Sequence, residues 1–210
     1  NSRHPGDARV RSGVGPGSGN VVCRTAGGPC SIEISEAEAD YYHGTGGKNV
    51  GKLTADNIII ATGARPNALP FAPFDGKTIL SSYDALEIPE RPESMVIVGS
   101  GAIGMEFAYF FNAFGTKVTV VEMLDRILPV EDDDISKMAL KAFTKQGINF
   151  KTGHTVSSIK TGRNGAKVEI APASGDGKSE SIECEKVLVA IGVHGRFDGL
   201  FDDSLGLRVE

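Results

Sequence analysis

The sequence has no tryptophan, and it has only four histidines and three cysteines in 210 residues. Cys23, Cys30 and Cys184 are too few and too scattered for a disulfide framework, and the histidines lack metal-ligand spacing, so we expect no metal site. No apolar run approaches the roughly 18 residues of a membrane-spanning helix, and no secretory signal is recognisable. The net charge of −5 argues against a nucleic-acid groove. We therefore expect neither nucleic acid nor a membrane as a partner.

Glycine, in contrast, is abundant, with 27 residues in the chain. Seven glycines and three prolines fall within residues 1–30, where apolar periodicity is nearly absent. Such a stretch buries too little apolar surface to offset the entropy of ordering it. We therefore expect residues 1–31 to be disordered or foreign to the domain.

Residues 32–90 show a first set of sheet signals. Ile32–Ile34 alternates apolar and polar residues, Gly44–Gly47 indicates a turn, and Asn57–Thr62 is a β-branched run that predicts a buried strand. Five prolines then fall within residues 66–92, which indicates a connector. The pattern predicts a domain boundary near residue 90.

Residues 91–210 alternate strands and helices. Buried strands are predicted at Ser94–Val98, Lys117–Glu122, Asn149–Lys151 and Lys186–Ile191. Gly162–Gly165 indicates a hairpin, and Ser174–Ser181 indicates a polar loop. This order predicts an α/β fold, namely a Rossmann-like parallel sheet with helices on both faces and a hairpin or meander.

Two helices are predicted between these strands. The first helix has an apolar stripe and ends at Gly115. The second helix begins after Asp132, is capped by the acidic run Glu131–Asp134 and ends at Gly147. We expect both stripes to be core. They comprise Ile103, Phe107, Phe110 and Phe114 in the first helix, and Ile135, Met138, Ala139, Ala142 and Phe143 in the second.

A G-x-G-x-x-G turn joins the first of these strands to the first helix. Gly99 permits the tight turn, Gly101 lets backbone approach a pyrophosphate, and Gly104 lets the helix pack closely on the sheet. The helix N-terminus favours the anion. Glu122 ends the second strand, where an acid binds the adenosine ribose and repels a 2′-phosphate, so the pattern favours NAD over NADP. The alternative is a βαβ unit whose glycines serve packing only.

These residues, together with Ala61–Pro66 before them and Ala190–Gly192 after them, resemble the pyridine nucleotide–disulfide oxidoreductases. Within that family the segments Leu80–Leu86 and Val121–Pro129 are most similar to the dihydrolipoyl dehydrogenases. The resemblance covers roughly residues 42–210. It implies a domain order of a partial FAD-binding domain over residues 32–90 and an NAD-binding domain over residues 91–210.

The resemblance also implies an activity. The family's lipoyl branch consists of homodimeric flavoenzymes of the cytoplasm or an organelle matrix, and the cytoplasm is our preference here. They oxidise dihydrolipoamide on a lipoyl-bearing acyltransferase or carrier protein of 2-oxoacid dehydrogenase complexes. Electrons pass from the dithiol to a cysteine pair, then to FAD and then to NAD.

By position, the resemblance assigns cofactor contacts. The glycines of the turn would hold the NAD pyrophosphate, Glu122 the ribose, and Glu106 the nicotinamide carboxamide. Val156 and Gly192 would line the adenine and nicotinamide ends. The full set of expected NAD contacts is Gly99, Ser100, Gly101, Ala102, Ile103, Gly104, Glu106, Glu122, Val156 and Gly192, and the expected FAD contacts are Gly44, Ala61, Thr62 and Gly63.

The sequence also departs from the family pattern. An FAD-binding G-x-G-x-x-G, the C-x-x-x-x-C redox pair and a His–Glu pair are absent from these 210 residues. We therefore expect an internal piece of the pattern that holds no catalytic residue and performs no thiol–disulfide exchange by itself. Two alternatives stay open: a non-catalytic NAD-binding module, and part of a sibling NADPH-dependent disulfide reductase.

Overall fold

The computed structural model describes residues 21–24, 30–36, 48–55, 59 and 62–197. The chain divides into two compact units, one formed by Asn1–Arg65 with His194–Glu210 and the other by Pro66–Val193. No helix among the described residues is long and apolar enough to cross a membrane.

The first unit contains a three-stranded antiparallel sheet of β1 (Val21–Arg24), β2 (Cys30–Glu36) and β3 (Lys48–Ala55), in that order. The strand predicted from the Ile32–Ile34 alternation is confirmed as part of β2. Part of the glycine-rich tract, β1 included, is thus in regular structure, which differs from the expectation of disorder for those residues. The predicted turn at residues 44–47 lies outside the described residues.

The strand predicted at Asn57–Thr62 is not found where the structure describes it. Ile59 and Thr62 both lie outside any strand, and Ile59 is 91% exposed. A β-branched run is therefore not sufficient evidence of a buried strand here. Residues 56–58, 60 and 61 lie outside the described residues.

The remaining elements follow in chain order. They are β4 (Ala64–Pro66), β5 (Ile79–Leu80), α1 (Ser82–Leu86), β6 (Ser94–Val98), α2 (Ala102–Ala113), β7 (Lys117–Val121), α3 (Asp133–Lys145), β8 (Asn149–Lys151), β9 (His154–Gly162), β10 (Gly165–Pro172), β11 (Glu180–Cys184), β12 (Lys186–Val189) and β13 (Val193–Gly195). Strands β4 and β13 pair with each other in a two-stranded sheet.

A five-stranded parallel sheet in the order β5-β12-β6-β7-β8 is the centre of the second unit. Both of its faces are buried: Met95 and Ile97 of β6 pack on one side, and Val96 and Val98 pack on the other. This arrangement explains why β6, β7 and β12 read as continuous apolar runs. The predicted α/β class with a parallel sheet is confirmed.

Helix α2 packs on one face of this sheet, but not through the predicted stripe. Met105, Ala108 and Phe111 are buried against the sheet, whereas Phe110 and Phe114 are 51% and 64% exposed. The prediction that the whole stripe is core is therefore wrong. The small residue Ala108 and the buried Gly104 bring the helix close to the sheet and so fix which side faces inward.

Helix α3 deviates from its prediction in the same way. Ala139, Leu140 and Phe143 pack against the core, while Ile135 and Met138 are 51% and 69% exposed. Ala142 is exposed as well, so the predicted apolar face is wrong at three positions. The predicted acidic cap is confirmed, because Asp132 is the N-cap and its carboxylate accepts a hydrogen bond from the amide of Asp134 at 2.9 Å.

The opposite face of the parallel sheet is covered by an antiparallel sheet in the order β11-β10-β9. Helices were expected on both faces, but in the described residues this meander replaces a helix in the connection between β8 and β12. The predicted hairpin is confirmed, with Gly162 paired to Gly165. Val168 and Ile170 of β10 fill the space between the two sheets. The predicted polar loop is shorter than expected, because Glu180 already belongs to β11.

Candidate functional site

The turn between β6 and α2 requires glycine at its first position. Gly99 has a φ of +99°, and its amide donates to the carbonyl of Val121 at 2.8 Å. A Cβ at residue 99 would lie 2.4 Å from the carbonyl oxygen of Ala190, which is a severe overlap with backbone. Gly99 therefore allows the ends of β6, β7 and β12 to lie close together.

The other two glycines of the turn have different surroundings. A Cβ on Gly104 would lie 2.1 Å from the carbonyl oxygen of Gly99, so Gly104 serves the close packing of the helix on the turn. Gly101 is the N-cap of α2, with no side-chain cap and open space where its Cβ would be. The first-turn amides of α2 therefore stand at a backbone surface that an anion can approach closely.

Glu122, directly after β7, is held firmly by the turn. It is 8% exposed, and its Oε2 accepts hydrogen bonds from both the amide and the hydroxyl of Ser100, each at 2.8 Å. Its Oε1 accepts from the amide of Leu124 at 2.9 Å. An ionised carboxylate has about four acceptor positions, so three are used and one remains for a further donor.

The loop after Glu122 closes over the turn. The amide of Leu128 donates to the carbonyl of Ser100 at 2.9 Å, and Leu128 itself has a φ of +47°. The left-handed conformation of a leucine costs free energy, so the surrounding contacts must hold it. The Arg126–Asp133 ion pair and the hydrogen bond from Ser136 to the Ile127 carbonyl attach this loop to α3.

A cleft of about 610 Å³ opens at the carboxyl end of the parallel sheet, beside the turn. It brings together eight of the ten residues that the sequence assigns to NAD contact. Gly104 lies behind the turn, and Glu106 is exposed on α2 outside the lining. The eight are Gly99, Ser100, Gly101, Ala102, Ile103, Glu122, Val156 and Gly192.

The four expected FAD contacts do not lie in this cleft as far as the structure describes them. Thr62 and Gly63 belong to the first unit, where Thr62 donates a hydrogen bond to the carbonyl of Arg196. The Gly63 carbonyl accepts from the amide of Arg196 at 2.8 Å. Gly44 and Ala61 lie outside the described residues.

The family model for "Pyridine nucleotide-disulphide oxidoreductase" matches residues 19–210. The chain belongs to this family. A dihydrolipoyl dehydrogenase of Rhizobium etli is 39% identical over 163 residues, which are 78% of this chain and 34% of that protein. One of Bacillus subtilis is 39% identical over 173 residues, covering 82% of this chain and 36% of that protein. The chain thus spans about a third of the length of these curated relatives.

Two solved structures share the fold of this chain. LpdA of Mycobacterium tuberculosis matches with a TM-score of 0.71 and 29% identity, over 88% of this chain and 37% of that chain. The HOCl-induced flavoprotein disulfide reductase RclA of Escherichia coli matches with a TM-score of 0.62 and 28% identity, over 77% and 36% of the two chains. Membership of the family implies the use of a flavin and of a pyridine nucleotide.

The cleft also contains side chains whose surroundings the sequence did not predict. Ser100 was expected only as a cofactor contact, whereas its buried side chain binds the carboxylate of Glu122. His154, one of the four histidines without metal-ligand spacing, also lines the cleft. One feature of the sequence could have pointed to His154: it lies two residues before Val156, which the resemblance assigns to the adenine end. Both residues belong to β9.

Cys184 is a small residue of the core. It is 7% exposed, and burial raises the pKa of its thiol to about 11, against a smaller lowering effect of a hydrogen bond with the backbone of Val96. The thiolate, which is the reactive form, is therefore rare at neutral pH. Cys184 is not suited to disulfide exchange.

Proposed function

We propose that this chain is the NAD-binding portion of a dihydrolipoyl dehydrogenase. That flavoprotein reoxidises dihydrolipoamide with NAD⁺ in 2-oxoacid dehydrogenase complexes. The proposal is supported by membership of the family and by relatives of that name at 36–40% identity. The observation that carries it is the glycine turn at the start of α2 with the buried carboxylate of Glu122 beside it.

The residues present fit a dinucleotide. The open space at Gly101 and the first-turn amides of α2 would receive the pyrophosphate. The remaining acceptor position of Glu122 would take one ribose hydroxyl, since three positions are already used inside the protein. We place the adenine end near Val156 and the nicotinamide end near Gly192. We place Glu106, on the first turns of α2, beside the carboxamide.

The same geometry supports a preference for NAD over NADP. A 2′-phosphate adds negative charge and only acceptor atoms at the ribose. Glu122 offers a carboxylate there, and its position is fixed by Ser100 and Leu124, so it has no freedom to turn away. Repulsion between two charges about 4 Å apart is worth at least about 1 kcal/mol.

The wider assignments follow from the proposal. Residues 32–90 would be part of an FAD-binding domain, with Gly44, Ala61, Thr62 and Gly63 near the flavin, and residues 91–210 would form the NAD domain. The whole protein would be a homodimer that meets a lipoyl-bearing acyltransferase or carrier protein in the cytoplasm or an organelle matrix. We assign no role to residues 1–31. Because the 210 residues contain no C-x-x-x-x-C pair, we expect no lipoamide-dependent NADH formation by this chain alone.

One alternative has an observation in its favour. The likeness to RclA supports a sibling flavoprotein disulfide reductase. Such a reductase would share the fold, and an NADPH-dependent one would need positive charge near the ribose instead of Glu122. The choice of nucleotide separates the two.

Titration of the purified chain with NADH and NADPH, followed by the nicotinamide fluorescence, tests the proposal. We expect NADH to bind about tenfold more tightly than NADPH or better. Glu122→Gln should narrow that ratio, whereas Glu131→Gln, an exposed glutamate before α3, should not. Equal affinity for both nucleotides, or binding of neither, would overturn the proposal.

A further inference from the structure

His154 is the first residue of β9, and its backbone is fixed to the strand end that carries Glu122. The amide of His154 donates to the carbonyl of Glu122 at 2.9 Å, and the amide of Glu122 donates to the carbonyl of Lys151 at 3.0 Å. The backbone of His154 is therefore fixed beside that of Glu122, and both residues line the cleft.

The tautomer of His154 is set by its own loop. Nδ1 lies 2.8 Å from the carbonyl oxygen of Thr152, and a carbonyl only accepts, so Nδ1 carries the proton. In the neutral ring, Nε2 is then an acceptor. No residue that the structure describes is hydrogen-bonded to Nε2, and the half-buried His154 is one of the residues that line the cleft.

Two of the charged groups near His154 are paired with each other. Lys151 and Glu180 form an ion pair with 2.6 Å between Nζ and Oε2, so each satisfies the other. The pKa of Glu180 lies below its ordinary value, first because Lys151 donates this hydrogen bond and second because the positive charge of Lys151 is close. Glu122, the third charged neighbour, is itself an acceptor.

We propose that His154 is a specificity-determining residue at the adenosine end of the cleft, an inference that rests on the proposed binding of NAD. Its Nε2 accepts a hydrogen bond from a donor of the adenosine half, either a ribose hydroxyl or the adenine amino group. Together with Glu122 it makes this end of the cleft a set of acceptors. A 2′-phosphate, which offers only acceptors, finds no donor there, so NADP is rejected.

The test compares His154→Phe, which removes the acceptor, with His154→Gln, whose amide oxygen restores one. In the 210-residue chain we expect His154→Phe to weaken NADH about three- to tenfold, the value of one hydrogen bond, and to narrow the ratio of the NADPH and NADH dissociation constants. His154→Gln should recover most of both. Lys160→Ala, on the same strand but away from the cleft, is the matched control and should change neither.

Two analogues of NAD identify the donor. Nicotinamide hypoxanthine dinucleotide lacks the amino group, and 2′-deoxy-NAD lacks one hydroxyl. The analogue that lacks the relevant donor should bind the wild type more weakly than NAD does. It should bind His154→Phe as tightly as NAD binds that variant. If His154→Phe lowers the urea midpoint, His154→Asn, whose shorter side chain withdraws the acceptor, replaces it.

The outcomes separate the two proposals. Failure of the wild-type chain to prefer NADH would overturn the proposed function. A wild type that prefers NADH, with unchanged dissociation constants in folded His154→Phe, would overturn the role of His154 alone.

Discussion

The two ends of the parallel sheet in the second unit differ in what they offer a ligand. At the amino end, a groove of about 700 Å³ lies beside the Gly162–Gly165 hairpin. Two of its charged groups bind the chain itself: the carboxylate of Glu185 accepts from the amide of Glu93 at 2.8 Å, and Lys186 donates to the carbonyl of Lys77 at 2.8 Å.

The cleft at the carboxyl end is smaller, about 610 Å³, but it is built from a glycine turn, a helix N-terminus and a carboxylate with an acceptor position to spare. Open sheets of this kind bind ligands at the carboxyl ends of their strands. Volume alone therefore does not identify the site. The site is identified by the orientation of its backbone amides and by the hydrogen-bond acceptor positions that remain free on buried polar groups.

The largest expected effect is on folding at the carboxyl end. Gly99→Ala adds a Cβ 2.4 Å from a backbone oxygen at a φ of +99°, so we expect the free energy of unfolding to fall by about 3 kcal/mol. Gly153→Ala is the matched control, with a φ of +66° and nothing within 4 Å. It should cost only about 1 kcal/mol in the same urea titration. Equal losses would show that the crowding at Gly99 is unimportant.

A second substitution separates binding from folding. Gly101→Ala meets open space and has an ordinary backbone conformation, so the free energy of unfolding should fall by no more than about 1 kcal/mol, the cost of alanine at an N-cap. Its methyl group occupies the surface we assign to the pyrophosphate, and the dissociation constant for NADH should rise about tenfold or more. Unchanged affinity measured by calorimetry would contradict the placement of the pyrophosphate.

Asp75, before the edge strand β5, shows how polar groups elsewhere support the chain. Its Oδ1 accepts from the amides of Lys77, Thr78 and Ile79 at 2.7–2.9 Å. Burial alone raises its pKa, but these hydrogen bonds and nearby Lys186 outweigh burial and hold the pKa below 3.8.

Asp75→Ala should therefore lower the free energy of unfolding by about 1 kcal/mol at neutral pH. The loss is no larger because Asp75 is exposed and solvent screens its charge. A carboxyl with a lowered folded-state pKa stabilises fully above its unfolded pKa and loses this contribution as pH falls through the folded value. The difference between wild type and variant should thus shrink at acid pH in urea titrations. A difference that grows on acidification would contradict this account.

The smallest expected effect concerns the amino-end groove. Arg163→Ala, on the hairpin turn, removes a cation from the groove but touches nothing in the carboxyl-end cleft. The affinity for NADH should stay within about twofold of the wild type, the range of an exposed substitution. A loss comparable to that of Gly101→Ala would move the nucleotide site to the groove.

The sequence predicted the parts of this molecule whose signals are local. The order β6, turn, α2 and β7 follows from apolar runs and from glycine spacing, both confined to about 30 residues. The buried side of α2 was mispredicted because its large phenylalanines were taken as the apolar face. The small residues Gly104 and Ala108 decide how closely α2 approaches the sheet. Phe110 and Phe114 consequently remain exposed.

Features that depend on distant strands were not predictable in this way. The sheet β11-β10-β9 occupies a face of the parallel sheet where helices were expected. Strand β11 (Glu180–Cys184) was not predicted, because it is short and follows directly on a polar loop. The place of His154 depends on a hydrogen bond to Glu122, which lies 32 positions earlier in the chain. No pattern within one strand reports such a neighbour.

The most direct test of the central claim is the change in backbone amide chemical shifts when NAD⁺ is added to the 210-residue chain. If the pyrophosphate binds at the glycine turn, the largest changes should fall on residues 100–104, on Leu124 and on residues 154–156, while residues 162–165 of the amino-end groove stay unchanged. Changes concentrated in the hairpin at residues 162–165, or no changes at residues 100–104, would contradict the assignment of the carboxyl-end cleft.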